Sequence, residues 1–303
     1  MRGVFVDANG SLADIFERQN RTGDPAVRVN RDADITPGHI PALLDGAEIA
    51  IIDHTPLPTD VARRCSGLKH VVFLGTGARS YMNPEELGEL GIVVHLIKGY
   101  GDTAVAECTI ALMWASARGI ARMDREMRAG NWLREDGMQL TGKTLGLIGF
   151  GGIAAEVARI ALGSGMRVIA WNRSPKKFSG VDFVSLDKLL PKSDVVSLHL
   201  LLNDDTRGFL TRERIAAMKP GVILVNTARG AMVDEAAMIE ALKSGHIRHA
   251  GLDVFNIEPL PAGHPLTKLP NVTLSAHSAF RTPEANENLI HAAWEHCRRI
   301  AKG

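Results

Sequence analysis

The segment running from Thr144 to Ser174 constrains this chain more than any other. It reads Thr-Leu-Gly-Leu-Ile-Gly-Phe-Gly-Gly-Ile-Ala, then a helical stretch, then Arg-Val-Ile-Ala-Trp-Asn-Arg-Ser. An apolar run, a glycine turn, a stretch with Ile153, Val157 and Ile160 at helical spacing, and a second apolar run make a strand–turn–helix–strand unit. The turn Gly149-Phe150-Gly151-Gly152-Ile153-Ala154 has the G-x-G-x-x-G/A form. In that form Gly149 allows the tight turn, Gly151 lets backbone approach a pyrophosphate, and the small Ala154 lets helix and strand pack closely. The helix opening at Gly152 and Ile153 then turns its free N–H groups toward the phosphates. A glycine-rich turn alone is a weak signal, but the flanking strands and helix at the right distances make this one a dinucleotide site.

The second strand of the unit ends without the acid that usually binds the ribose hydroxyls of NAD. Asn172, Arg173 and Ser174 stand there, followed by Lys176 and Lys177, and the next acid is Asp182. A carboxylate would repel a 2′-phosphate, whereas Arg173 and the Ser174 hydroxyl could bind one through charge-assisted hydrogen bonds. The residues therefore favour NADP(H), with NAD(H) as the alternative if the segment is only a solvated basic turn.

Elsewhere, short β-branched runs alternate with helical patterns. The runs fall at 3–6, 48–52, 70–74 and 92–96, then at 144–148, 167–171, 194–200, 222–226, 249–253 and 271–275. Such alternation argues for parallel sheets with helices on both faces. The glycines within 98–102 break the first series, residues 104–117 read as a long apolar helix, and a final helix is expected over about 283–300. The expected fold is α/β, with two doubly wound parallel-sheet domains. A Rossmann cofactor domain (99–276) is inserted into a flavodoxin-like substrate domain (1–98 plus 277–303), and the active site is expected in the cleft between them.

A chain of 303 residues suits two domains, and its formal net charge of +1 gives no global pull toward nucleic acid or an anionic membrane. Cys65, Cys108 and Cys297 lack any Cys-x-x-Cys spacing and read as thiols in a reducing compartment, not as a metal site or disulfide frame. The longest uncharged stretches, about a dozen residues, are too short to span a bilayer. The first apolar run, flanked by Arg2 and Asp7, reads as a strand and not a signal peptide. A cytoplasmic location is expected.

Three later segments each carry one chemically active side chain just past a strand, the edge where open parallel sheets bind ligands. Val-Ile-Leu-Val-Asn-Thr-Ala-Arg-Gly ends in Arg229 and Gly230, Gly-Leu-Asp-Val-Phe-Asn-Ile-Glu-Pro carries Glu258, and Asn-Val-Thr-Leu-Ser-Ala-His carries His277. Taken singly, each has a bland explanation as a strand cap, a loop charge or a core histidine. Together with the central turn and Val105-Ala106-Glu107, they resemble the D-isomer-specific 2-hydroxyacid dehydrogenases, glyoxylate/hydroxypyruvate reductases among them. The resemblance covers nearly the whole chain and is most specific over 99–282. It implies that Arg229 binds substrate, that His277 donates and accepts the proton, and that Glu258 supports the histidine. It further implies that Thr103, Thr227, Ala228 and Asp253 contact the cofactor, as does the loop holding His199, Leu200 and Thr206. Thr76 and Gly77 would bind the substrate carboxylate through backbone N–H groups, and two copies of the chain would form a homodimer, through the 104–117 helix and the Trp132 loop.

These residue types suit the chemistry. A guanidinium can hold an α-keto acid's carboxylate and polarise its carbonyl at any working pH. Hydride arriving at the carbonyl carbon builds charge on oxygen, so an imidazolium must supply a proton, and a nearby carboxylate favours that charged form. The chain departs from the family pattern in places: Ala78, Arg79 and Ser80 stand where Tyr-Asp-Asn is commoner, Leu201 where proline is common, and Ser275-Ala276 where Thr-Pro is common. Arg79 is either a solvated loop charge or a contact for a second anionic group on the substrate. With the sequence ending at Gly303, a regulatory domain of the kind some phosphoglycerate dehydrogenases carry is not expected. The expected activity is NADP(H)-dependent interconversion of a small 2-keto acid and its 2-hydroxy acid. The alternatives are an NAD-linked dehydrogenase of phosphoglycerate type and a non-catalytic, cofactor-sensing interaction protein on the same fold.

Overall fold

The computed structural model describes residues 1–303, which separate into two compact units, Met1–Gly101 with Arg281–Gly303, and Asp102–Phe280. The first unit holds a parallel sheet of β1 (Arg2–Phe5), β2 (Ala26–Val29), β3 (Ile49–Ile52), β4 (His70–Phe73) and β5 (Val93–Leu96), in the order β2-β1-β3-β4-β5. That is the flavodoxin-like 2-1-3-4-5 winding. The second unit holds β6 (Thr144–Ile148), β7 (Arg167–Trp171), β8 (Val181–Phe183), β9 (Val195–Leu198), β10 (Val222–Asn226), β11 (Ile247–Leu252) and β12 (Val272–Leu274). Their order is β12-β11-β10-β9-β6-β7-β8, every pair parallel. Counted within the unit, this is the 3-2-1-4-5-6 Rossmann order with a seventh strand added, and its reversal point lies at β6, the strand that feeds the glycine turn.

Two strands, β2 and β8, escape the sequence reading. Both are short edge strands, and β2 is nowhere fully buried. An edge strand with one open side need not carry the continuous apolar run that marks the inner strands, such as the fully buried β3, β6, β9 and β10. The helix Ile120–Arg128 is likewise unanticipated, because it contributes no buried side chain.

Each sheet has a hydrophobic core on both faces. The chain's last helix, Pro283–Lys302, completes one of those in the first unit with Leu289, Ile290, Ala293, Trp294 and Cys297. Trp294 stacks on Phe16 with ring centroids 4.2 Å apart, and its indole Nε1–H donates to the Phe16 carbonyl at 3.0 Å. Arg298 adds a bidentate ion pair to Asp24, both contacts 2.8 Å. Removing the indole leaves a cavity in a core that cannot close over it. Trp294→Ala should therefore destabilise the protein by about 3–5 kcal/mol in urea unfolding.

At the carboxyl end of the first sheet, Asp7 is fully buried and its carboxylate accepts the backbone N–H groups of Asp53, His54 and Thr55 at 2.7–2.8 Å. His54 lies beside it, with Nδ1 3.1 Å from Asp53 Oδ2 and Nε2 2.8 Å from the Ala33 carbonyl. The hydrogen bond to Asp53, helped by the charge of Asp7, outweighs partial burial and pushes the His54 pKa up to about 9. A raised folded-state pKa stabilises fully below the ordinary value of 6.5 and is lost as pH climbs through about 9. The melting temperature should fall across that window, and His54→Leu should flatten the fall.

Candidate active site

The glycine turn is shaped by what surrounds it. Gly149 has φ +90°, and a Cβ there would sit 2.6 Å from the His199 carbonyl oxygen and 2.9 Å from Leu200 Cδ2. The next strand's end thus enforces the first glycine. At Gly151 a Cβ would meet no protein atom within 4 Å, so the turn is open on that side. Gly151 is the N-cap of the helix Gly152–Gly163 and offers no side-chain cap, while Ala154 is fully buried where the helix packs. Open glycine backbone, uncapped N–H groups at a helix start and a close-packed third position are what a dinucleotide pyrophosphate requires. The residues present fit such a cofactor.

Asn172, at the end of β7, accepts the Phe150 N–H at 3.1 Å and donates to the Ser174 carbonyl at 2.8 Å. It braces the glycine turn from within. Arg173 and Ser174 are exposed, and so are Lys176 and Lys177. The carboxylate nearest Arg173 is Asp205, 3.7 Å away, with both side chains about four-fifths exposed. His199 donates its N–H to the Ile148 carbonyl, its ring meets Ser197 Oγ at 2.9 Å, and burial pushes its pKa down to about 4. Thr206 closes its own loop, its hydroxyl donating to the Leu201 carbonyl and accepting the Asn203 N–H. Thr103 is exposed in the first turn of the helix Asp102–Arg118. Thr227 is nearly buried, its hydroxyl 2.8 Å from that of Thr109 on the same helix.

The second unit brings Arg229, Glu258 and His277 together. Glu258 Oε2 accepts His277 Nδ1–H at 2.6 Å, and Oε1 accepts the Phe255 N–H at 2.8 Å. Burial alone would raise the Glu258 carboxyl. The hydrogen bonds from His277 and Phe255, with the charges of His277 and Arg229, more than offset burial and hold it below the ordinary carboxylate range. Glu258 is therefore an anion and an acceptor, which puts the Nδ1 proton on His277 and leaves Nε2 as the nitrogen free to exchange a proton. Arg229 donates from Nη1 to the Ala228 carbonyl at 2.6 Å. Asn226 pins this turn, donating to the Arg229 carbonyl and accepting the Ala228 N–H, both at 3.0 Å. A Cβ on Gly230 would overlap the Phe255 carbonyl and lie 2.5 Å from Asn256 N. Glycine at 230 is what lets the arginine segment cross directly against the glutamate segment.

His277 itself has φ +47°, a left-handed conformation unusual for a residue with a side chain. It is held by Asp253, which shows no exposed surface. The Asp253 carbonyl accepts the His277 N–H at 2.8 Å, and the carboxylate accepts the N–H groups of Ser278 and Ala279 and the Ser275 hydroxyl. Besides the cofactor contact that the resemblance implies, Asp253 thus fixes the loop that carries His277. Asn226 and Gly230 went unassigned in the sequence, although a buried amide ending an apolar strand and a glycine directly after an arginine were both visible signals.

In the first unit, Thr76 and Gly77 follow β4, with Gly77 preceding the helical turn Ala78–Ser80. Neither backbone N–H is donated to a backbone carbonyl. Arg79 is ion-paired with Glu85 on the surface.

The family model for the D-isomer specific 2-hydroxyacid dehydrogenase NAD binding domain matches residues 110–279, a span that contains the glycine turn and Arg229, Glu258 and His277. A hydroxypyruvate reductase of Thermotoga maritima is 41% identical over 241 residues, covering 78% of each chain. A D-3-phosphoglycerate dehydrogenase of Archaeoglobus fulgidus is 37% identical over 84% of this chain and 49% of its own length. Among solved structures, an acyclic imino acid reductase in complex with NADPH and D-Arg superposes with a TM-score of 0.86 at 29% identity, over 100% of this chain and 97% of that one.

The crossing at Gly230 leaves no room for a methyl group. Gly230→Ala should destabilise the protein by about 1–3 kcal/mol in urea unfolding, with a larger proportional loss of activity because Arg229 moves with the backbone.

Proposed function

The chain belongs to the D-isomer-specific 2-hydroxyacid dehydrogenase family and is an NAD(P)-dependent oxidoreductase of the CH–OH group, and from that premise we propose that it reduces a small 2-keto acid of the glyoxylate or hydroxypyruvate kind with NADPH. The observation that carries this reading is the convergence of Arg229, Glu258 and His277 at the carboxyl ends of three strands in one unit. Asp102–Phe280 is proposed as the cofactor domain and the other unit as the substrate domain.

The roles proposed for these residues are those the resemblance implies, and the Glu258–His277 contact supports them. The Arg229 guanidinium holds the substrate carboxylate and polarises the adjacent carbonyl. The undonated N–H groups of Thr76 and Gly77 in the first unit are proposed as contacts of a substrate carboxylate. When bound, the nicotinamide supplies the hydride. His277 Nε2 hands its proton to the carbonyl oxygen as charge builds there, and Glu258 fixes the ring's tautomer and steadies the imidazolium that gives up the proton. In the oxidative direction, neutral His277 takes the proton back.

Preference for NADP(H) rests on the end of β7. Asn172 is neutral and already committed to the glycine turn, so β7 ends without the acid that would repel a 2′-phosphate, while Arg173 and Ser174 are exposed and the loose surface pair of Arg173 with Asp205 is one that a 2′-phosphate would displace. A phosphoglycerate-type activity is the second reading, because relatives so named match most of this chain. Arg79, read either as a solvated loop charge or as a contact for a second anionic group, is paired with Glu85 on the surface, which supports the first of these. The homodimer expected from the family is proposed to use Ile120, Met127 and Trp132, which are 51%, 56% and 75% exposed. The 104–117 segment is a poorer candidate, since Ala104, Ala106, Leu112, Met113 and Ala117 are buried in its own unit. No helix is long and apolar enough to cross a membrane, and the free thiols of Cys65, Cys108 and Cys297 favour a reducing compartment, proposed to be the cytoplasm.

A panel of glyoxylate, hydroxypyruvate, pyruvate and 3-phosphohydroxypyruvate, each with NADH and NADPH, tests the proposal. Turnover of the first two with NADPH is expected, and preference for the phosphorylated acid with NADH would overturn it. His277→Ala should lower kcat about 10²- to 10⁴-fold without weakening cofactor binding. Arg173→Ala should raise the KM for NADPH and leave that for NADH unchanged; equal effects on both would remove the 2′-phosphate assignment. Trp132→Glu should yield monomers in light scattering if the dimer surface is as proposed.

A further inference from the structure

Asp102 opens the long helix Asp102–Arg118, and its carboxylate rests on the glycine turn. A Cβ on Gly152 would overlap Asp102 Oδ2 and lie 2.8 Å from Cγ, so the carboxylate fills the volume that a side chain at 152 would occupy. This accounts for Gly152, which the dinucleotide motif itself does not require. The carboxylate is half-buried, no protein hydrogen bond holds down its proton affinity, and it lies at the first residue of the helix Gly152–Gly163. The charged group facing it from that helix is Glu156, one turn further along, whose own partner is Arg159. Nothing cationic neutralises Asp102.

We propose that Asp102 sets the affinity for the nicotinamide dinucleotide, its ionised carboxylate opposing the cofactor's pyrophosphate at the start of the helix Gly152–Gly163. The inference rests on the reading of Gly149–Ala154 as the pyrophosphate turn. A carboxylate and a phosphate are both drawn to the positive end of a helix, and two anions there repel. The cofactor therefore binds more tightly when Asp102 is protonated, and by reciprocity bound cofactor raises the carboxyl's proton affinity. Burial, reinforced by the charge of Glu156, already lifts this carboxyl above the usual aspartate value, which brings its titration toward working pH. Because the protonated form binds better, affinity is full at low pH and declines as pH rises through the titration of Asp102.

The test is the Kd of NAD⁺ by calorimetry on the intact enzyme from about pH 4.5 to about pH 8, a range in which the pyrophosphate keeps its charge, together with the Kd of NADPH at the upper pH. Wild type should weaken with rising pH, by about tenfold for each pKa unit of coupling. Asp102→Asn should be flat across the range and tighter than wild type for both cofactors at the upper pH. Asp102→Ser should behave likewise, and because the pH profile is read on wild type it stands even if a variant folds poorly. A wild-type Kd independent of pH, or Asp102→Asn binding no tighter, overturns the proposal. Gly151→Asp separates the two readings. If it abolishes cofactor binding while Asp102→Asn changes nothing, the role of Asp102 alone falls; if it binds as wild type does, the pyrophosphate turn is misplaced and both fall.

Discussion

The buried carboxylate of Asp253 is the constraint on which the candidate active site depends. A carboxylate removed from water is costly unless every acceptor position finds a donor. Asp253 finds its donors in Ser275, Ser278 and Ala279, all in the loop that carries His277. Releasing the loop would strand the charge, so the loop stays, and His277 can occupy a left-handed conformation that costs about 1–3 kcal/mol in isolation. The imidazole is then aimed by its backbone before Glu258 touches it.

The first unit repeats the device with Asp7. There a buried carboxylate at the end of β1 gathers three consecutive N–H groups from the loop after β3. In both sheets an acid just past one strand fixes the loop that follows a different strand. The carboxyl edge of a parallel sheet is where loops are longest and least supported by ladder hydrogen bonds, and a buried anion organises several of them at once. Asp194 does related work at the opposite edge, tying the Thr144 N–H to Lys219.

Much of this was legible in the sequence, for identifiable reasons. The glycine turn is local: its requirements at 149, 151 and 154 are set within six residues, so the pattern shows without the fold. Arg229, Glu258 and His277 were visible jointly, each lying past a strand in an order that resembles one family, although each singly had a bland reading. What could not be read depends on contacts between distant segments. That Asp253 faces inward follows from donors over twenty residues away. That Gly152 makes room for Asp102, and Gly230 for Phe255, follows from packing that no local pattern encodes. β2 and β8 were missed for a related reason, since an edge strand is defined by a neighbour on one side only.

Asn172 leads to a conclusion about how this protein can change. Its side chain is bound into the glycine turn, whereas the side chains of Arg173 and Ser174 are exposed and carry no part of the core. The residue that braces the turn thus adjoins the two side chains proposed to meet the cofactor's ribose. If Arg173 and Ser174 choose the cofactor as proposed, substitutions there would change that choice and leave the bracing of the turn by Asn172 in place.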